Sequence, residues 1–282
     1  MKFRTKFLAG LLMLLLAAFI VAAPAHDTSR NESVEVQTFP FDPSESLVYE
    51  GEFTRSLLRG VNVADLRFSF ERIPANLDAA TKTTALRFRA EAVSKGVVSK
   101  LFGLTFRQRI ESTVESATFN VLNTVKLDEQ GKRVRTSEAV FDQTSGKVVF
   151  TELDPTDPNR PPRVITNQFS GTVQDIASAF YYLRTQKLEP GKNVELLISD
   201  TGQTYVIPVR VIKREQQKTV LGKISTLRVE PELFGEGRLI RGRGQITIWL
   251  TDDARHIPVR AKINNSLGRL DIKLKSISNN LL

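Results

Sequence analysis

LRFRAEA, residues 86–92, decides the fold: Leu86, Phe88, Ala90 and Ala92 alternate with Arg87, Arg89 and Glu91. In an extended chain successive side chains point to opposite faces, so this order gives one apolar and one wet side. The same period of two runs outward in both directions. Upstream, Leu66, Phe68 and Phe70 alternate with Arg67 and Ser69. Downstream, Phe106, Gln108 and Ile110 alternate with Arg107, Arg109 and Glu111, and Phe119, Val121, Val125 and Leu127 share one parity. Late in the chain Ile246, Ile248 and Leu250 face one way, Val259, Ala261 and Ile263 alternate with Arg260 and Lys262, and Leu270, Ile272 and Leu274 alternate with Asp271 and Lys273. Turn-forming residues at 129–132, 144–146, 200–202 and 264–268 separate the runs and indicate hairpins. The expectation is an all-β, mainly antiparallel protein with about a dozen strands, curled into a barrel-like sheet or folded over as a sandwich. The glycines Gly235, Gly237, Gly242 and Gly244 mark a place where a strand can bend sharply.

Two segments interrupt the alternation. Residues 154–163 hold Pro155, Pro158, Pro161 and Pro162, and a residue without an amide donor cannot serve a ladder, so a loop between an N-terminal and a C-terminal group of strands is expected there. One amphipathic helix is expected near 172–187. Val173, Ile176, Ala177, Phe180 and Leu183 form its stripe, Thr172 its cap with Asp175 three residues on, and Pro190-Gly191 its stop. A shorter helical turn is expected around 97–102. A core this size fits a single β-rich domain over 47–278, preceded by a flexible polar leader at 26–46.

The first 25 residues carry a different message. Lys2, Arg4 and Lys6 precede an apolar run at 7–23, and Ala23-Pro24-Ala25 offers the small residues of a cleavage site near Ala25. This is the order of a secretory signal peptide, so export to the periplasm or envelope is expected, with retention as an anchor the rival reading. Losing the three leader cations lowers the formal net charge from +9 to +6. That charge suits ordinary solubility and at most peripheral attraction to an anionic surface. The chain has no Cys, which excludes disulfides, thiolate catalysis and a lipid-bearing N-terminal cysteine.

Chemistry-bearing constellations are sparse. The chain has two His, of which His256 sits in a turn with Asp252 and Asp253; a tight turn explains those residues better than a metal site does, and no metal or other cofactor is expected. No nucleophile elbow is present, so no catalytic residues are assigned. GEGRLIRGRG, residues 235–244, fits neither a dinucleotide fingerprint nor a Walker loop, which leaves Arg238, Arg241 and Arg243 as candidate anion contacts on a bent cationic hairpin. The period-two arginines share strands with Glu91, Glu111 and Glu138, so cross-strand ion pairing is expected rather than nucleic-acid binding. An outer-membrane barrel needs aromatic girdles, and four Tyr with one Trp supply them poorly.

Several segments together resemble the exported bacterial family called domain of unknown function 3108. They are LVYE at 47–50, the helix DIASAFYYLR at 175–184 with Pro190-Gly191 after it, GKI at 222–224, and ITIWLTDDARHIPVRAKI at 246–263 with Gly268 beyond. The resemblance implies an exported β-rich protein and assigns no reaction. Of the matching positions, Asp175, Arg184, Asp252, Asp253 and Pro258 have structural readings, and Tyr181, Tyr182 and Trp249 join the three arginines as candidate ligand contacts. The expected function is a non-enzymatic binding or assembly module for a lipid or other amphipathic ligand, or for an envelope protein. The alternatives are an envelope-polymer hydrolase using a carboxylate pair from Asp252, Asp253, Glu230 and Glu232, or an outer-membrane β-barrel.

Overall fold

The computed structural model describes residues 39–42, 44–74, 84–103 and 105–279; the signal-like segment 1–25 and the leader up to residue 38 lie outside them. The described residues form one 15-stranded sheet. Its N-terminal half is a meander: β1 (Glu45–Arg55), β2 (Leu58–Pro74), β3 (Thr84–Ser94), β4 (Phe106–Glu115), β5 (Val121–Gln130), β6 (Arg133–Asp142), β7 (Lys147–Leu153) and β8 (Arg163–Gln168). Its C-terminal half is a second meander: β9 (Val173–Gln174), β10 (Asn193–Asp200), β11 (Gln203–Thr219), β12 (Gly222–Pro231), β13 (Gly244–Thr251), β14 (Pro258–Asn265) and β15 (Gly268–Asn279). The halves join where β1 pairs with β15, so first and last strands are neighbours in mid-sheet. Among these strands every pairing is antiparallel except the short β9–β10 contact. The two-residue β9 is one reason the strands exceed the expected dozen: it is too short to show a period.

Burial follows the alternation. Leu86, Phe88, Ala90 and Ala92 are enclosed, and Arg89 between them is exposed. On the outer face Arg87 pairs with Glu71 at 3.0 Å, Arg89 with Glu111 at 3.0 Å and Arg107 with Glu91 at 2.8 Å. Such a charged outer face is unsuited to hydrocarbon, where each cation near the midplane costs about 2–4 kcal/mol. Among the described residues no helix is long and apolar enough to cross a membrane.

The sheet curls until its two ends meet without a ladder between β8 and β9. The β10–β11 turn lies on β7 and β8: a Cβ on Gly202 would stand 2.8 Å from the Phe150 Cβ and 3.0 Å from the Ile165 Cβ. Lys126 on β5 reaches Asp200 on β10 at 3.7 Å across this seam. The result is barrel-like and open.

Two helices accompany the sheet: α1 (Gly96–Phe102), in the β3–β4 connection with Val98 turned into the core, and α2 (Ile176–Arg184), which fills what the sheet encloses. α2 is shorter than the expected 172–187 and is buried nearly all round, with Tyr182 the exception. Its cap is Asp175, not Thr172, because Val173 and Gln174 are held in the sheet by Leu197 and Ile198 of β10. Beneath it Phe68 stacks on Phe180 at 4.0 Å and Phe88 on Tyr181 at 4.4 Å. Each such ring, fully enclosed, contributes about 1.5–3 kcal/mol of burial.

Two further expectations change. The polar leader ends earlier than residue 46: Phe41 is buried and packs on Phe70 and Tyr181, since an aromatic ring in a polar stretch gains by joining that cluster. The proline loop connects β7 to β8, so it falls inside the first meander, and the switch between meanders comes after β8.

Candidate functional site

α2 is clamped at both ends by buried polar groups. At its start the Asp175 carboxylate accepts the amide hydrogens of Ala177 at 2.9 Å and Ser178 at 2.8 Å, which satisfies two of the helix's orphan donors. The hydroxyls of Ser112 on β4 and Thr124 on β5 donate to the same carboxylate. At its other end the enclosed Arg184 guanidinium holds Glu45 of β1 in a fork at 2.5 and 3.0 Å and donates through Nε to the Arg255 carbonyl at 2.9 Å. It also lies 5.2 Å from the Phe41 ring centroid and 5.6 Å from that of Tyr181. The helix thus ties β1, β4, β5 and the β13–β14 turn together.

At the C-terminal end of α2 the structure opens into a groove of about 690 Å³. Phe39, Phe119, Tyr182, Gln186, Lys187 and His256 are among its walls. Phe119 stands 5.6 Å from Phe39 and 5.1 Å from Tyr182, centroid to centroid, and the Arg72 guanidinium lies 5.9 Å from the Phe39 centroid. Burial raises the Tyr182 phenol above its ordinary pKa, so it remains a neutral hydroxyl. Two non-glycine residues of this groove, Phe119 at φ 60° and His256 at φ 43°, occupy the left-handed region, which costs a side-chain-bearing residue on the order of 1–3 kcal/mol. His256 Nδ1 stands 3.2 Å from the Arg184 carbonyl. A carbonyl only accepts, so Nδ1 carries the proton and Nε2 is the free acceptor. Burial lowers the pKa of this imidazole and favours the neutral form.

The sequence-derived ligand contacts do not converge. Tyr181 is enclosed, its hydroxyl without a partner and its pKa raised by burial; Tyr182 alone reaches the groove. Trp249 lies on the outer face of β13, its indole N–H donating to Glu215 at 2.5 Å, with Arg260 and Lys262 within 5.6 Å of the ring. Arg238 donates to the Val206 carbonyl at 2.9 Å and to Glu232 at 3.0 Å, while Arg241 and Arg243 are exposed. All three arginines sit in the β12–β13 loop, at the opposite end of the sheet from the α2 groove.

The carboxylates separate likewise. Asp252 is taken by Arg214 at 3.0 Å and Ser225 at 3.1 Å, and Asp253 by Thr251 at 2.6 Å and Arg255 at 2.8 Å. Both shape the β13–β14 turn. Glu230 holds Arg210 at 3.2 Å and also Arg228, and Glu232 holds Arg238, all toward the far end of β12. The four supply no facing pair across one cleft. Among the described residues no group of three His, Asp or Glu could hold a metal ion. Pro258 opens β14, where its carbonyl accepts from the Tyr49 hydroxyl at 2.8 Å.

Sequence reasoning missed Phe39, Phe119 and His256 as groove residues. Phe119 was read as an ordinary core position, and its positive φ leaves no trace in residue type.

Known structures bear on the fold alone. A β-barrel-like protein of domain of unknown function DUF1849 from Brucella abortus aligns over 84% of this chain and 98% of its own, at TM-score 0.53 and 10% identity. A protein of Bacteroides fragilis with a YmcC-like fold aligns over 85% of this chain and 98% of its own, at TM-score 0.36 and 8% identity, too loosely to support an argument. No curated protein matches the chain. What the alternating strands and the DIASAFYYLR helix suggested is settled by the match of one family across nearly the whole sheet, residues 48–275: the chain belongs to the family described as protein of unknown function, DUF3108.

Proposed function

We propose that this protein is an exported, non-enzymatic binding module of the cell envelope that takes an amphipathic ligand at the groove beside α2. Export is supported by the order of charge, apolar run and small residues at the N-terminus. The single observation that carries the reading is where space remains. The interior is occupied by α2 and stacked rings, whereas the groove at its end leaves Phe39 and Tyr182 part-exposed beside Lys187, with the buried Phe119 ring behind them. Part-exposed aromatic rings next to a cation suit a molecule with an apolar tail and an anionic or zwitterionic head.

Titration of the isotope-labelled protein with monomeric dodecylphosphocholine tests this by amide chemical shifts. The expected result is saturable change confined to residues around 39, 119, 182 and 256, with affinity about tenfold weaker in Tyr182→Ala. Changes spread evenly over the surface and indifferent to that substitution would remove the proposal. Capture of a specific envelope protein by a photo-crosslinker at Lys187, with no lipid effect, would favour the assembly reading instead.

A further inference from the structure

A second groove, of about 910 Å³, crosses the outer face of β1, β2 and β3. Its walls include Ser44, Ser46, Val48, Arg67, Ser69 and Arg89. Strand register explains the grouping. Ser46 stands opposite Ser278 of β15 on one side and Ser69 of β2 on the other, and Ser69 stands opposite Arg89 of β3. The next outward row runs Ser276, Val48, Arg67, Glu91. Serine hydroxyls therefore form a stripe that ends on arginine.

Two features separate this groove from an ordinary solvated face. Ser46 is only 6% exposed, and its hydroxyl has no hydrogen-bond partner. A buried hydroxyl left unpartnered is costly, and a ligand oxygen seated at this wall of the groove would relieve that cost. The other feature is Arg67. Its neighbours are committed, Arg87 to Glu71, Arg89 to Glu111 and Glu91 to Arg107. Arg67 is exposed and makes no ion pair among the described residues. The remaining walls carry the acceptors Asp65, Glu71 and Glu91. A simple anion would meet those acids as well as the arginine. A hydroxyl-rich ligand with one charged group uses both, donating to the carboxylates and accepting from Arg67.

We propose that this groove binds an anionic saccharide, with its hydroxyls on Ser46 and Ser69 and its charged group on Arg67. A soluble glycan and a glycolipid head group share that chemistry. The test uses the protein expressed from its full sequence and two probes: glucose 6-phosphate in solution, and phosphatidylcholine vesicles containing monophosphoryl lipid A. Glucose and inorganic phosphate are the comparators. Saturable binding of either probe supports the proposal if it exceeds both comparators and falls about tenfold or more in Ser46→Ala and Arg67→Gln. The probe that binds tells the source. Ser46→Ala removes only an unpartnered hydroxyl and Arg67→Gln an exposed charge, so both variants should melt no lower than the parent. Tyr182→Ala, at the other groove, should leave this binding unchanged. Binding of inorganic phosphate as tight as glucose 6-phosphate, equal binding by both variants, or no binding of either probe would each overturn it.

Discussion

Arg184 is the largest side chain the fold encloses completely. Removing a guanidinium from water is costly, and the cost is offset here by the two-pronged contact with Glu45, the Arg255 carbonyl and two aromatic faces. Arg184→Met strands the Glu45 carboxylate in the interior and should cost about 3–5 kcal/mol in urea denaturation. Adding Glu45→Gln to that variant should recover a large part of the loss, because no charge then remains buried. A double variant as unstable as the two single losses added together would show that the pair is not coupled. The sequence marked Arg184 as a structural position without naming its partner. Its true partner was illegible because Glu45 lies 139 positions away and opens a strand whose residue types give no sign of it.

At the scale of elements, strands were easy to read and the helix was half legible. A period of two survives wherever one face is wet, as in β3 and β4. The stripe of α2 was visible as well, but the helix is enclosed on nearly every side, and residues 173–174 were diverted into β9. The contact between α2 and the β13–β14 turn carries a pH prediction. Burial lowers the His256 pKa below its ordinary 6.5, the Arg184 charge adds to this, and the Arg184 carbonyl and the Asp253 and Asp252 charges pull against it. The unfolded chain therefore takes up this proton first as pH falls. Stability from this group is intact above the ordinary value, is lost as pH drops through it toward the lower folded value, and changes no further below that. Urea midpoints at about pH 7.5 and about pH 5.5 should differ less in His256→Gln than in the parent. An unchanged difference would show that the turn does not sense the proton.

For the molecule as a whole, the curl of the sheet was foreseen and the side-chain contact between its ends was not. Alternation says that one face is covered; it does not say that the ends of the sheet touch through side chains. Gly202 shows how they do, with its φ of +72° and with Phe150 and Ile165 where a Cβ would sit. Gly202→Val should part the seam: hydrogen exchange is expected to quicken in β7, β8 and the β10–β11 turn while β1, β2 and β15 stay protected. Uniformly faster exchange would instead mean that the sheet unfolds as one unit. The groove at the end of α2 was the least legible feature, since it gathers residues as distant in sequence as Phe39, Phe119, Tyr182 and His256. The partnership of β1 with β15 has a further consequence. Lys273 and Glu52, 221 positions apart, meet at 2.6 Å across those strands. During synthesis the opening strand must wait, one flank bare, until the strand that covers it, more than 200 residues on, has been made. A chaperone that shields exposed strand edges would find its target in that interval.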